Sequence, residues 1–325
     1  MHGKIALEEH FATEDTMEDS RRVFGEETWP ELRDRLTDAH GQRLRLMDQH
    51  GIETMFLSLN APAVQAIPDT KKAVEIARRA NDFLAAETIK YPGRIQGLAA
   101  LPMQDPDLAA RELQRCIAEL GFKGALVNGF TQVGNADNIA YYDQAEYRPF
   151  WAEVERLDVP FYLHPRNPLM KHARSFEGHA WLLGASWAFG QETAVHALRL
   201  MASGLFDDYP RLNVIVGHMG EGLPFLMWRV DHHTDWVPKP PKYPAKRKIC
   251  EYFQNNFYIT TSGNFRSQAL INAILEVGSD RIMFSVDWPF ENIDHAAGWF
   301  DATGISEADR RKIGRDNARN LFKLG

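Results

Sequence analysis

The sequence predicts an α/β fold: a (β/α)8 barrel with inserted loops on the face formed by the C-terminal ends of its strands, over a single domain of residues 1–325. Three observations carry this. Eight short runs of apolar, often β-branched residues recur at 4–9, 52–59, 94–101, 123–129, 159–164, 212–218, 257–263 and 281–287. Most of these runs lack the polar alternation of a half-exposed strand, as expected of parallel strands covered on both faces. Segments with an apolar period near 3.6 lie between them, and eight such alternations in 325 residues fit a closed barrel rather than an open sheet.

The first run, KIALEEHFA at 4–12, ends in two carboxylates and an imidazole. Side chains alternate along a strand, so Glu8 and His10 share one face and Glu9 points away from it. By itself an E-x-H is more commonly a strand running out into a polar loop. The other strand ends decide its meaning.

Between strands, Ala73, Ile76, Ala77, Ala80, Phe83 and Leu84 form one helical stripe, and Ala109, Leu113, Cys116, Ile117 and Leu120 form another. Gly121 is placed to cap the second helix before the next strand. In a barrel of this kind the chemistry sits at strand C-termini. Strand one ends at Glu8 and His10, strand four at Asn128, strand five at His164, strand six at His218 and strand eight at Asp287, so these residues are expected on one rim.

Insertions at 11–40, 129–148 and 165–190 follow strands one, four and five on that same face. The third carries Phe176, Trp181, Trp187 and Phe189, which suit either the wall of a pocket for a flat apolar substrate or the loop's own small core. A Pro- and Lys-rich stretch at 236–248 reads as an extended arm able to touch another subunit.

Composition limits the partners. A formal charge of −7 and 25% charged residues give no basic footprint for nucleic acid or an anionic membrane surface. No apolar stretch approaches the ~18 residues of a spanning helix and no leader pattern opens the chain, so the cytoplasm is the expected address. Cys116 and Cys250 are far apart and form neither a disulfide framework nor a thiolate metal site. A small molecule is the expected partner.

Glu8, His10, His164 and Asp287 together supply the imidazole and carboxylate ligands of a catalytic divalent-metal site, with two negative charges to offset the ion. His2, His40, His50, His172, His179, His196, His232, His233 and His295 have no partner at ligand spacing and fall outside this set.

Beyond the strand-end residues, ALEEHF, LNAPAVQAIPD (59–69), FYLHPRNP (161–168), ETAVHALRLMASGLFD (192–207), GHMGEGLP (217–224), ITTSGNF (259–265) and DWPFENIDHA (287–296) span nearly the whole chain. With these motifs the sequence resembles the decarboxylase branch of the amidohydrolase superfamily. The resemblance implies one divalent ion per subunit, Mn²⁺ or Zn²⁺, held by Glu8, His10, His164 and Asp287, with no organic cofactor. It implies non-oxidative, reversible loss of CO₂ from an aromatic acid, 2,6-dihydroxybenzoate giving resorcinol. The alternatives are another ortho-hydroxybenzoate, such as 2,3-dihydroxybenzoate or salicylate, or metal-dependent hydrolysis of a lactone or amide. A catalytically silent barrel would be expected to lack ligands that this chain retains.

The same resemblance gives proton delivery to Asp287, with His218 setting its protonation and Glu221 supporting His218. For the substrate, Asn128 could offer an amide to a phenol hydroxyl, Arg229 a guanidinium to the carboxylate from its own or a neighbouring subunit, and Phe290 and Trp288 a packing surface for the ring. A homotetramer, a dimer of dimers, is the expected assembly.

Overall fold

The computed structural model describes residues 1–21, 26–236 and 244–325. Eight strands form one parallel sheet in chain order: β1 (Lys4–Phe11), β2 (Ile52–Leu59), β3 (Ile95–Ala99), β4 (Gly124–Asn128), β5 (Phe161–His164), β6 (Val214–Val216), β7 (Phe257–Thr260) and β8 (Ile282–Met283). All eight expected runs are therefore strands of a barrel. Its interior is filled by Ile5, Leu7, Phe56, Leu98, Leu126, Tyr162, Ile215 and Met283, closed below by Ala318 and Phe322. The outward faces, among them Met55, Leu57, Ala99, Val127, Leu163 and Val216, pack on the surrounding helices. Each Val, Leu or Met side chain among these contributes roughly 1.5–3 kcal/mol when taken out of water, before entropy is counted.

Local sequence starts the helices where the strands stop. Asp69 caps α1 (Thr70–Lys90) by accepting the N–H of Lys72 at 2.8 Å. Asp105 caps α2 (Pro106–Ala118) through the N–H groups of Asp107 and Leu108, with Pro106 in the first turn where no N–H is needed. Gly121 follows in the left-handed conformation, φ 73°, and returns the chain to β4.

One irregularity positions the site. Between Ala6, opposite Met55, and Glu9, opposite Leu57, β1 advances three residues while β2 advances two. An extra residue of this kind reverses the alternation beyond it. Leu7 fills the barrel interior, so strict alternation would turn Glu8 and His10 outward; the bulge turns both inward.

The last strand is shorter than the sequence suggested. Regular pairing of β8 ends at Met283, with only Gly263 N–H to Val286 O (3.2 Å) continuing beyond it, because the next N–H groups are taken by other acceptors: Phe284 by Ile313 O (2.8 Å), Ser285 by Thr261 Oγ1 (2.9 Å) and Val286 by the Glu9 carboxyl group (3.0 Å). Beyond the strand, the seam back to β1 is stitched by His10 N–H to Trp288 O at 2.6 Å and Glu8 N–H to Ser285 Oγ at 2.7 Å. β6 is likewise short, since the backbone after Val216 turns into a left-handed run at His218–Gly222.

Among the described residues no helix is long and apolar enough to cross a membrane. Cys116 lies buried in α2, and Cys250 is partly buried in the helix Ile249–Asn256; both are free thiols. Of the arm read at 236–248, residues 237–243 lie outside the described residues.

Candidate active site

Four side chains expected from the sequence meet at the top of the barrel. Each of Glu8, His10, His164 and Asp287 offers one ligand atom, and these atoms all lie within 4.8 Å of one another. His10 Nε2 is 3.2 Å from Asp287 Oδ1, and His164 Nε2 is 3.2 Å from Glu8 Oε1. Glu8 Oε1, His10 Nε2 and Asp287 Oδ1 are buried without a hydrogen-bond partner. Burying such groups unpaired is costly, and a shared cation removes the cost. The residues therefore fit a divalent ion, through two imidazole nitrogens and two carboxylate oxygens.

The remaining atoms of each ligand are tied to the protein. Glu8 Oε2 accepts from the hydroxyls of Tyr162 and Ser262, and from Thr260 Oγ1 at 3.3 Å, which leaves Oε1 for the ion. A Cβ on Gly217 would meet Glu8 Oε2 at 2.6 Å, so glycine there makes room for the carboxylate. His10 Nδ1 meets Ser58 Oγ at 3.2 Å, and His164 Nδ1 meets Asn128 Oδ1 at 2.7 Å. Ligand histidines held this way at Nδ1 present Nε2 to a metal.

His218 stands beside the set. Its Nδ1 is 2.8 Å from Glu221 Oε1, and its Nε2 is 3.6 Å from both Asp287 Oδ2 and Glu8 Oε1. The left-handed backbone at His218, Met219 and Glu221 makes this i,i+3 contact, a conformation unfavourable for residues bearing a Cβ and characteristic of functional turns. Gly263, at φ +60°, lets His218 approach: a Cβ there would lie 2.8 Å from His218 Cδ2.

The electrostatics follow from burial and from these pairs. Burial works against the charged His218 imidazole, but Glu221, Glu8 and Asp287 raise its pKa well above the usual value. Burial likewise opposes the Glu8 carboxylate, yet His218, His164 and His10 hold it well below the usual range. Asp287 is lowered in the same way, against burial, by His10 and His218. His164 is pushed down, chiefly by burial, toward the neutral form that ligates. Burial raises Glu221.

A cavity of about 460 Å³ opens over these groups. Asp287, His218 and Glu221 form its polar floor with Asn264 and Glu291, and Trp187, Phe189, Leu198 and Leu226 supply apolar walls. Of the four aromatics expected from the fifth loop, Trp187 and Phe189 line this space. Phe176 instead packs with Ala173 and Ala188 in a small loop core, and Trp181 is exposed.

The four residues expected to hold substrate are placed differently from one another. Asn128 does not present its amide to the cavity: Nδ2 donates to Asn60 O at 3.0 Å, Oδ1 faces His164, and the residue is buried. Phe290 lies with its ring centroid 5.5 Å from that of His10, backed by the cluster of Ala12, Trp29, Leu32 and Leu36. Trp288 is buried, with the Arg35 guanidinium 5.0 Å from its ring centroid. Arg229 is exposed on α3 (Leu223–Thr234) and does not line the cavity of its own chain, although Leu226 and Val230 of the same helix do.

Sequence reasoning passed over several groups that matter here. Tyr162 sits two residues before His164 on β5, so the period of two already placed it on the inward face. Ser262 and Thr260 share a face for the same reason. Glu9 gave no such signal, because its alternation only turned it away from Glu8. It is fully buried, and burial pushes its pKa up to about 8 against the opposing pull of the Val286 and Trp288 N–H groups and Arg43.

The geometry has counterparts among known proteins. The amidohydrolase family model matches residues 9–324. The chain is 69% identical over 324 residues to the gamma-resorcylate decarboxylase of Polaromonas sp. strain JS666, covering 100% of this chain and 99% of the relative. Its backbone is similar to that of a crystal structure of 2,6-dihydroxybenzoate decarboxylase complexed with 2,6-dihydroxybenzoate, with a TM-score of 0.98, 67% identity and 100% of both chains covered. It is similar also to a dihydroxybenzoic acid decarboxylase from Polaromonas sp. JS666 with bound manganese and the inhibitor 2-nitroresorcinol, with a TM-score of 0.97, 69% identity and coverage of 100% and 98%. With a barrel, a strand-end ligand set and full-length similarity in agreement, the chain belongs to the amidohydrolase family, among its decarboxylases.

Proposed function

We propose that this protein catalyses the non-oxidative, reversible decarboxylation of 2,6-dihydroxybenzoate to resorcinol and CO₂. The observation that carries the reading is the double position of Asp287: it belongs to the ligand cluster and also lines the apolar cavity, so one carboxyl group can face both the ion and a substrate ring. The 67–69% identity to proteins named for this substrate supports the choice of acid. One divalent ion is held by Glu8, His10, His164 and Asp287. Manganese is the favoured metal by likeness to the manganese-bound relative, and zinc suits the same ligands. When bound, such an ion supplies Lewis-acid polarisation and a template for substrate oxygens.

The chain's own groups account for the proton. Direct loss of CO₂ would leave an aryl carbanion, so protonation of the carboxyl-bearing carbon comes first. Asp287, held ionised by His10 and His218, takes the proton that a substrate phenol gives up on binding and hands it to that carbon. Because that phenol is then a phenolate, protonation gives a neutral cyclohexadienone, with the electron demand shared by the two ortho oxygens. The bond to the carboxylate then breaks, its electron pair restores the aromatic ring, CO₂ departs, and the resorcinol monoanion left behind takes its missing proton from solvent. His218, kept protonated by Glu221, steadies the negative charge on Asp287 before and after the transfer. Trp187, Phe189, Leu198 and Leu226 exclude water around the ring. Phe290 bounds the His10 side of the site, and Asn128 acts through His164.

The assembly is a homotetramer, with Arg229 serving the carboxylate of a neighbouring subunit's substrate. The exposed Phe225, Leu226 and Trp228 on the same helix support an interface there. The enzyme works in the cytoplasm.

Turnover of 2,6-dihydroxybenzoate in D₂O by the metal-replete protein tests the reading. Resorcinol carrying one deuterium between its hydroxyls, above a no-enzyme resorcinol control, is expected, and Asp287→Asn is expected to stay folded and lose the rate. Resorcinol with concentrated bicarbonate should return some 2,6-dihydroxybenzoate. A protein that does neither yet opens lactones would be a hydrolase.

A further inference from the structure

We infer that Glu9, the carboxylate that turns away from the ligand cluster, is a positioning residue that fixes Asp287 by bridging the backbone on both sides of it. Oε1 of Glu9 accepts the N–H of Val286 at 3.0 Å and the hydroxyl of Ser285 at 3.2 Å, and Oε2 accepts the N–H of Trp288 at 3.0 Å. The two N–H groups flanking Asp287 thus converge on one carboxylate.

Asp287 needs such a holder. It adopts φ +81°, in the left-handed region that costs a residue with a Cβ, and it lies four positions past the last paired residue of β8. The backbone bonds there, Gly263 N–H to Val286 O at 3.2 Å and Glu291 N–H to Asp287 O at 2.9 Å, hold carbonyl groups and leave the N–H groups on either side of Asp287 to another acceptor. Glu9 can accept them, because it is fully buried in β1 between two metal ligands, Glu8 and His10, on the element that carries half of the cluster. The same strand receives His10 N–H to Trp288 O at 2.6 Å, and Arg43, itself buried, donates Nη2 to His10 O at 2.7 Å beside Glu9. Glu8, Glu9 and His10 therefore act as a unit: Glu8 and His10 supply ligand atoms, and Glu9 sets the register of the segment that delivers Asp287 to them.

A carboxyl group is required rather than an amide, since each of its oxygens can accept an N–H. Both oxygens face donors, whereas glutamine would set its NH₂ against one of the N–H groups and leave it buried without an acceptor. A plain structural staple would lower stability and leave turnover per folded, loaded enzyme intact. A positioning role lowers turnover instead, since a misplacement of about 1 Å can cost on the order of 100-fold.

This inference rests on Asp287 acting as proton donor, so Asp287→Asn is assayed beside the test variant. Glu9→Gln is prepared with saturating manganese(II) chloride. The expected result is a folded protein whose kcat falls about 10- to 100-fold with KM within about threefold of the parent, together with weaker Mn²⁺ binding by titration, since Asp287 is also a ligand. A kcat within threefold at full metal occupancy overturns the inference, whatever the change in melting temperature. Should Glu9→Gln not fold, an ester in place of the Asp287–Trp288 peptide bond removes only the Trp288 N–H, and native kcat in that protein overturns it equally. An active Asp287→Asn would instead remove the proton-donor role on which the inference stands, while an inactive Asp287→Asn beside a fully active Glu9→Gln would sink the inference alone.

Discussion

Asn128 and His164, paired across adjacent strands at the top of the barrel, meet through Oδ1 and Nδ1 at 2.7 Å. The Nδ2 of Asn128 already donates to Asn60 O, so the oxygen faces the ring and the His164 proton sits on Nδ1. Nε2 is then the lone-pair nitrogen, aimed at the ligand cluster. Replacing Asn128 with leucine is expected to leave the barrel folded and weaken metal binding about 10- to 100-fold. Competition with a chelator of known affinity checks this; unchanged affinity would return the orientation of His164 to packing alone.

Glu8 divides its oxygens between the hydroxyls of Tyr162, Ser262 and Thr260 on one side and the cluster on the other. Glu8→Ala and His164→Ala are both expected to give folded protein with little metal and little activity, read by circular dichroism and elemental analysis. Tyr162→Phe removes one hydroxyl of the cradle and leaves the ligand itself, so a milder loss, about tenfold in Mn²⁺ affinity, is expected from a hydrogen bond to a charged group. Full metal occupancy in Glu8→Ala would strike Glu8 from the ligand set.

His196, buried on the helix Ala188–Ala202, accepts the Tyr142 N–H at Nε2, 3.2 Å. Burial, helped by Arg199, pushes its pKa down to about 3. In the unfolded chain an ordinary histidine takes up its proton near pH 6.5, while the folded protein resists until about pH 3. The unfolded state therefore binds more protons through this window, and His196 makes folding less favourable as pH falls from about 6.5 toward 3 and has no such effect above it. His196→Gln keeps an acceptor for Tyr142 but cannot titrate. Between pH 7.5 and pH 5 the parent should lose about 2 kcal/mol more stability than the variant in denaturant titrations. Equal losses would show that His196 plays no part in acid sensitivity.

Much of this site was legible in the sequence because barrels couple position to period. Strand runs of four to eight apolar residues separated by amphipathic helices predict the ring, and the ring predicts that Glu8, His10, His164 and Asp287 gather at its C-terminal rim. The residue types then predict a divalent ion. What the sequence by itself determined was therefore the fold, the gathering of Glu8, His10, His164 and Asp287 at one rim and, through the motifs at 59–69, 161–168, 217–224 and 287–296, the family. Other relationships depend on contacts between residues far apart in the chain. The bulge between Ala6 and Glu9 chose which face of β1 points inward, and that choice depends on its register with β2. The seam from β1 to the segment after β8 gave Glu9 its role, because only folding brings residue 9 within hydrogen-bond reach of residues 286 and 288. Asn128 faced His164 rather than the cavity for the same reason: the acceptors that occupy its NH₂, Asn60 and Pro62, come from another strand's end. Period fixes the direction of a side chain within one element, and only the packing of elements against each other fixes what it meets.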